Sequence, residues 1–369
     1  MKKIVLGTAA ILALGAAYLS LWPVPIDPAK WDAPVDAGYV GDFAPNTQLA
    51  DLELLPIGDT YGPEDVAYRE TGDGLRIYVS GHKGEIIEIN PETKAHKVIA
   101  NTGGIPLGIE FGIPDSKGDA TLYIADAYKG LLSLSPGGTL TLLTNEVDGT
   151  PIAYADDLDI GPDGVIYFSD ASTKFGAQAN GGALAASLLE VMEHRKTGRV
   201  LSYDPRDAVT RVVADGFSFS NGVAMAADGQ SIFVNETGTY SLHRLYVDGP
   251  RKGEREVVLS NLPGFPDNIN DLPDGTFILG LVSKRATFLD DNSGNPFLRK
   301  LAMRLPAALR PQAESYGLLA HLSKEGDVLS TWQDPSGAYP MATGGIIAPD
   351  GFLYVSSLTA PALARLKLN

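Results

Sequence analysis

Cysteine is absent from this 369-residue chain. Its absence excludes disulfides, thiolate metal centres and cysteine nucleophiles, and it suits an oxidising compartment. Positive charge is in short supply: 29 lysines and arginines face 45 aspartates and glutamates, a formal net charge of −16. That balance disfavours nucleic acid or an anionic membrane surface as the main partner. No Gly-X-Ser-X-Gly elbow and no phosphate-binding glycine-rich loop is present, so the usual serine-hydrolase and nucleotide-binding signatures are missing. Only 20% of residues are charged and 44% are hydrophobic, enough to bury one large core or two modest ones. Helical periodicity is scarce, confined to two long segments described below.

What is present is a repeat. Apolar triplets of strand type recur at Ile77-Tyr78-Val79, Leu122-Tyr123-Ile124, Ile166-Tyr167-Phe168, Ile232-Phe233-Val234, Phe277-Ile278-Leu279 and Leu353-Tyr354-Val355. Neighbours lie about 44 residues apart except across two longer gaps, a period that points to propeller blades. Turn signals such as Gly72-Asp73-Gly74, Pro162-Asp163-Gly164 and Pro273-Asp274-Gly275 precede most of them. Six units predict an all-β, six-bladed β-propeller. The last unit is too short for a fourth strand, and the strand-like run at residues 49–57 is expected to complete it and close the ring. The two gaps, residues 175–196 and 283–315, both follow the second strand of a blade and should cover the face where that blade's first strand begins. Leu184–Glu193 and Pro296–Leu309 inside them read as amphipathic helices. The second carries Arg299, Lys300, Arg304 and Arg310, and is either a solvated lid or a contact with the membrane surface.

Met1-Lys2-Lys3 precedes an uncharged apolar run at residues 4–24. It reads as a signal-anchor spanning a bilayer, with a cleaved signal peptide ending near Gly15-Ala16-Ala17 as the alternative. Tyr18, Leu19, Leu21 and Trp22 extend the run past that cleavage site and favour the anchor. Either way residues 25–369 are expected on the exported side, periplasmic, lumenal or extracellular. Residues 25–46, rich in proline, aspartate and alanine, read as a linker, and residues 47–369 as the propeller.

Just ahead of the innermost strands stand Glu64, Leu107-Gly108, Asp156-Asp157, Asn221, Asp267-Asn268 and Gly344-Gly345. Four of six blades place an oxygen-bearing side chain at one structural position. Carboxylates and carboxamides without cysteine or histidine suit calcium, although aspartate and asparagine are also ordinary turn residues. Among the histidines, His82 follows a second strand on the same face and is a candidate assistant base; His96, His194, His243 and His321 have no partner motif. Ser169, Ser172, Thr173, Asn235, Glu236 and Tyr240 fall in loops on that face and are candidates to shape a pocket.

Five motifs in order carry a resemblance: Gly62-Pro63-Glu64, Ala125-Asp126-Ala127-Tyr128-Lys129-Gly130, Ser169-Asp170-Ala171-Ser172-Thr173-Lys174-Phe175, Phe219-Ser220-Asn221-Gly222-Val223 and Pro263-Gly264-Phe265-Pro266-Asp267-Asn268-Ile269. Together they are similar to the strictosidine-synthase-like family, whose wider relatives include the paraoxonases and gluconolactonases, calcium-dependent propeller hydrolases. The resemblance implies that Glu64, Asn221 and Asp267 are calcium ligands, with Asn268 a further one. Asp156 stands where relatives usually have asparagine, adding a negative charge. It also implies hydrolysis of a lactone or aryl ester, with Asp267 the best candidate base. Two departures bear on this. Thr343-Gly344-Gly345 replaces the glutamate of the amine–aldehyde condensing enzyme, and Leu107 replaces the paraoxonase histidine. A non-catalytic propeller that binds a small ligand or a protein partner around a structural calcium is the alternative.

Overall fold

The computed structural model describes residues 2–368, without the side chains of residues 2–5 and 9. Six four-stranded antiparallel sheets form a ring, as the repeat predicts. Blade 4 shows the pattern: Ser220–Met225, Ser231–Glu236, Ser241–Tyr246 and Arg255–Leu259 pair in sequence order, with Val223 opposite Val234 and Val234 opposite His243. The apolar triplets lie in the second strands and are mostly buried on both faces because neighbouring blades stack on them, with Tyr123 and Tyr167 half-buried. Phe233 of blade 4 meets Phe277 of blade 5 edge to face, with centroids 4.9 Å apart.

Ring closure follows the expectation. The strand Glu53–Pro56 pairs antiparallel with Ala362–Lys367, Glu53 opposite Arg365, and completes blade 6. An Arg365 to Glu53 bond of 2.8 Å adds to the ladder. Closure leaves no free edge between the first and last blades.

Every innermost strand from blade 2 to blade 6 carries a register shift near its start. The shifts fall between Pro106 and Ile109, Ala155 and Leu158, Ser220 and Val223, Pro266 and Ile269, and Ala342 and Gly345. Each is a bulge of two residues that breaks the alternation of the strand and re-aims side chains. In these blades the expected site residues therefore lie inside the strands, within the bulges, whereas Glu64 of blade 1 lies just ahead of its strand, Val66–Thr71, as expected. In blade 6 the matching pair is Thr343-Gly344, one residue earlier than the pair Gly344-Gly345 expected from sequence. Glycine has a steric reason at two of these points. A Cβ on Gly108 would lie 2.5 Å from Asp157 Oδ1, and one on Gly222 would lie 2.4 Å from the Asp267 carbonyl.

Polar side chains at and beside these positions stitch blades together. Asp65 accepts from Ile109 N (2.9 Å), Asp157 from Val223 N (2.9 Å), and Asn270 donates to Asp65 (3.0 Å). Backbone groups freed by the bulges are thus satisfied across the blade boundary.

Both insertions are where they were expected. The first holds α1's successor in chain order, so we label Lys2–Leu21 α1, Ala183–Glu193 α2, Thr287–Asp291 α3 and Pro296–Met303 α4. α4 is shorter than the predicted Pro296–Leu309; it stops before Pro306, and only a 3-10 turn, Ala307–Leu309, follows. Residues 25–46 are a packed strap rather than a free linker. Ile26 is buried, Trp31 stacks on His194, Tyr39 stacks on Tyr316 at 4.1 Å, and Asn46 donates to Thr331 O at 3.0 Å. The spanning reading of residues 4–24 needs correction. The segment is helical over Lys2–Leu21, but among the described residues no helix is long and apolar enough to cross a membrane. Met1 and the side chains at the start of that run lie outside the described residues.

Candidate active site

The bulges of blades 3, 4 and 5 bring Asp156, Asn221 and Asp267, and the segment just ahead of the first strand of blade 1 brings Glu64, to the floor of one cavity of about 930 Å³. Asn268 lies behind this floor, fully buried, and donates to Glu64 Oε1 at 3.0 Å. Asn221 donates to Asp267 Oδ1 at 2.5 Å. Each carboxamide thus spends its NH₂ on a carboxylate and leaves its oxygen bare. Among these residues four buried oxygens have no hydrogen-bond partner: Glu64 Oε2, Asp156 Oδ2, Asn221 Oδ1 and Asn268 Oδ1. An acceptor buried without a donor costs about 1–3 kcal/mol, so four at one place mark a missing positive group.

Electrostatics agree. Burial, followed by the charges of Asp267 and Asp156, pushes the Glu64 carboxyl well above the ordinary carboxyl range. Burial and then Asp267 do the same to Asp156. Burial raises Asp267 to about 7 against the opposing bond from Asn221. The raised values express burial first and, for Glu64 and Asp156, the repulsion of neighbouring carboxylates second. Hard oxygens of this kind suit a calcium-sized cation. Among the described residues no three His, Cys, Asp or Glu side chains are grouped closely enough to hold a metal by themselves. The donor set is complete only with the carboxamides.

Other expected residues fall elsewhere. No histidine lines the cavity. His82 lies outside it, its ring tilted 32° against Tyr61 with centroids 4.8 Å apart, and burial lowers its pKa. Ser169, Ser172, Thr173, Asn235, Glu236 and Tyr240 do not line the cavity either. Ser172 donates instead to Glu190 of α2 (2.6 Å), and Asn235 supports the Asp267 carbonyl (2.5 Å). Thr343 is bound to the Glu64 carbonyl at 2.6 Å, so blade 6 contributes no ionisable side chain.

The walls are apolar and come in part from the two insertions expected to cover this face. α2 turns Leu184, Leu188 and Val191 toward the cavity, while Glu190 and Glu193 face the body of the protein. Glu190 accepts from Ser172 and Thr197, and Glu193 pairs with Lys174 at 2.6 Å. Tyr154 ties the first turn of α2 to the floor through a 3.0 Å bond to Ala183 O. Tyr18 and Trp22, at the end of α1, also line the cavity, and Arg304 holds that end by donating to Trp22 O at 2.6 Å.

Residues 156–250 match the family described as Strictosidine synthase, and residues 41–89 match Strictosidine synthase-like, N-terminal. The chain is 31% identical to adipocyte plasma membrane-associated protein of Rattus norvegicus, over 98% of this chain and 97% of that one. The chain belongs to the strictosidine synthase-like family. Within the family it is also 32% identical to protein strictosidine synthase-like 10 of Arabidopsis thaliana, over 88% of this chain and 91% of that one. Among solved structures, a gluconolactonase from Xanthomonas campestris superposes with a TM-score of 0.60 at 17% identity, covering 93% of this chain and 95% of that one. The calcium-binding protein regucalcin from Agrobacterium tumefaciens gives 0.57 at 12%, covering 86% and 94%. At these identities the structural likeness speaks to the propeller fold, and function has to be argued from the site.

Proposed function

We propose that the chain is a calcium-dependent hydrolase of lactones or aryl esters, acting in the axial cavity. The observation that carries this reading is the set of four unpartnered buried oxygens beside Asp267, at the floor of a cavity large enough for a small-molecule substrate. Glu64, Asp156, Asn221 and Asp267 would hold the ion, with Asn268 behind them. Calcium bound there would supply a positive charge beside the substrate's carbonyl oxygen. Asp267 is the proton acceptor for the attacking water, because Asn221 has no useful basicity. Asn221 and Asn235 fix the orientation of Asp267 through its carboxylate and its carbonyl. The apolar faces of α2 and of the segment around Ala302 and Met303 exclude water and accept an acyl or aryl group. Relatives support the class of reaction through a gluconolactonase and the cation through a calcium-binding regucalcin.

One observation favours a second reading, a propeller that binds a small ligand without turning it over. No histidine lines the cavity, so every carboxylate available as a base is also a proposed ligand. A panel of aryl acetates and lactones, assayed with and without chelator, separates the two. Chelator-sensitive hydrolysis supports the enzyme; no turnover of any panel member in saturating calcium supports the binding protein.

We further propose that the protein works at a membrane, as the name of the rat relative says of that protein, with its propeller on the exported side. Leu6, Ile11, Leu12, Leu14 and Leu21 of α1 are exposed, as are Phe297 and Leu298 of α4. Together they offer an apolar surface. Deleting residues 1–24 should release the protein from the membrane fraction; an unchanged distribution would remove this part of the proposal.

A further inference from the structure

A second cavity, of about 660 Å³, opens away from the axis where the strap, the end of α2 and the turn after Glu236 meet. Trp31 lies flat on His194 there, with centroids 3.9 Å apart and planes 17° apart. His194 caps α2 in the left-handed conformation, φ 55° and ψ 44°. Ser218, 1% exposed, completes the lining beside it. Trp31 Nε1, His194 Nδ1 and Ser218 Oγ are buried and have no hydrogen-bond partner. Gly238 leaves the space beside Ser218 open, since a Cβ there would lie 2.3 Å from Ser218 Oγ.

The charges around this cavity do not balance. Arg299 is fully buried and donates to the carbonyls of Met192, Ala29 and Ser293, but its Nε is unpartnered. Ala29 is itself part of the cavity lining. Arg299 forms no ion pair among the described residues, nor do Lys30 and Lys196 on the rim. Glu193 is matched by Lys174 and Arg195, and Glu236 by Arg255. Asp32 on the rim and Glu190, which accepts from the lining residue Thr197, remain on the opposite side of the balance. In a chain of net charge −16, this is a local excess of positive charge. A buried guanidinium without a counter-charge is costly unless something compensates it.

We propose that this second cavity binds a small oxyanion, a carboxylate or a phosphate group, with Trp31 and Ser218 donating to it and Lys30 and Lys196 supplying counter-charge. His194 is neutral, because burial and then Arg299 depress its pKa to about 3, and it can donate through Nδ1 in one tautomer. The proposal stands apart from the reading of the axial cavity and does not depend on it.

The full chain has three tryptophans, so its indole N–H resonances can be followed one by one. Trp31→Phe keeps a ring over His194 and identifies the Trp31 signal by its loss. Titration with sodium phosphate and, separately, sodium acetate, at ionic strength held constant with chloride, should move the Trp31 resonance saturably. Saturation by both, or by either alone, supports an oxyanion site and tells phosphate from carboxylate as the favoured source. Ser218→Ala should weaken the effective ligand about tenfold, the scale of one hydrogen bond to a charged group. Lys196→Gln, a surface change that leaves the fold alone, should weaken it several-fold. If neither anion moves the resonance saturably, or if both variants titrate like wild type, the cavity holds only water and the proposal fails.

Discussion

The floor and the walls of the axial cavity are built by different means. The floor is made by repetition: one two-residue bulge, placed at the same point of three inner strands, delivers Asp156, Asn221 and Asp267 to the axis, and the matching position just ahead of the first inner strand delivers Glu64. Its parts are held by bonds between adjacent blades, such as Asp157 to Val223 N. The walls are made by exception, from two insertions and from chain that precedes the propeller. They are held by polar groups turned inward from a helix whose apolar side faces the cavity, as Glu190 and Glu193 show. The floor can therefore keep one chemistry while the walls vary, which is how a shared fold serves different substrates.

Metal affinity should distinguish the two regions most sharply. Calcium that binds the folded chain and not the unfolded one stabilises by about 4 kcal/mol at a thousandfold excess over its dissociation constant. Thermal unfolding with calcium and with chelator should differ accordingly in wild type. Glu64→Gln in the floor should lose most of that difference, and Leu188→Ala in the wall should keep it. A calcium response that survives in Glu64→Gln but fails in Leu188→Ala would reverse the assignment of roles.

The next effect belongs to the wall. Burial raises the Glu190 carboxyl to about 7. The fold therefore favours its protonated form, and the associated stability is complete below about pH 4.5 and is lost as pH rises through about 7. Glu190→Gln keeps a group of the same shape that does not titrate. Relative to that variant, wild type should lose on the order of 2–3 kcal/mol between pH 4.5 and pH 8. Parallel pH dependence of the two melting temperatures would show that Glu190 does not carry the effect. The smallest expected change comes from Tyr154→Phe, which cuts the bond between floor and wall. It should cost about 1 kcal/mol, with faster amide exchange in the first turn of α2 and calcium affinity unchanged.

The same division explains what the sequence made legible. The floor was readable because a propeller repeats. Triplets of period near 44 residues located the second strands, and the residues preceding each inner strand could be compared blade by blade. The closing strand was readable from a spare apolar run, observed as Glu53–Pro56. The bulge was not readable, since a one-residue register shift leaves no periodic trace; this is why blade 6 was off by one and why the bridging role of Asp157 went unseen. In the wall, the period of α2 revealed an apolar face but not which way it turns. Glu190 and Glu193 decide that, and their partners Ser172 and Lys174 lie about 20 residues away in sequence. The strap looked like a linker because proline and aspartate dominate it, yet isolated Ile26, Trp31 and Tyr39 are enough to dock it. His82 was placed on the correct face, but face alone does not bring a side chain to the axis.

The central claim is that Asp267 acts on water as well as holding the ion. The turnover of Asp267→Asn at saturating calcium, measured on whichever aryl ester or lactone wild type hydrolyses, tests it most directly. The substitution preserves an oxygen and nearly the same shape but removes the basic group. The account predicts calcium binding only partly weakened and a turnover lower by about 100-fold or more, the scale of a lost general base. Full turnover at saturating calcium would contradict it, leaving Asp267 as a ligand alone.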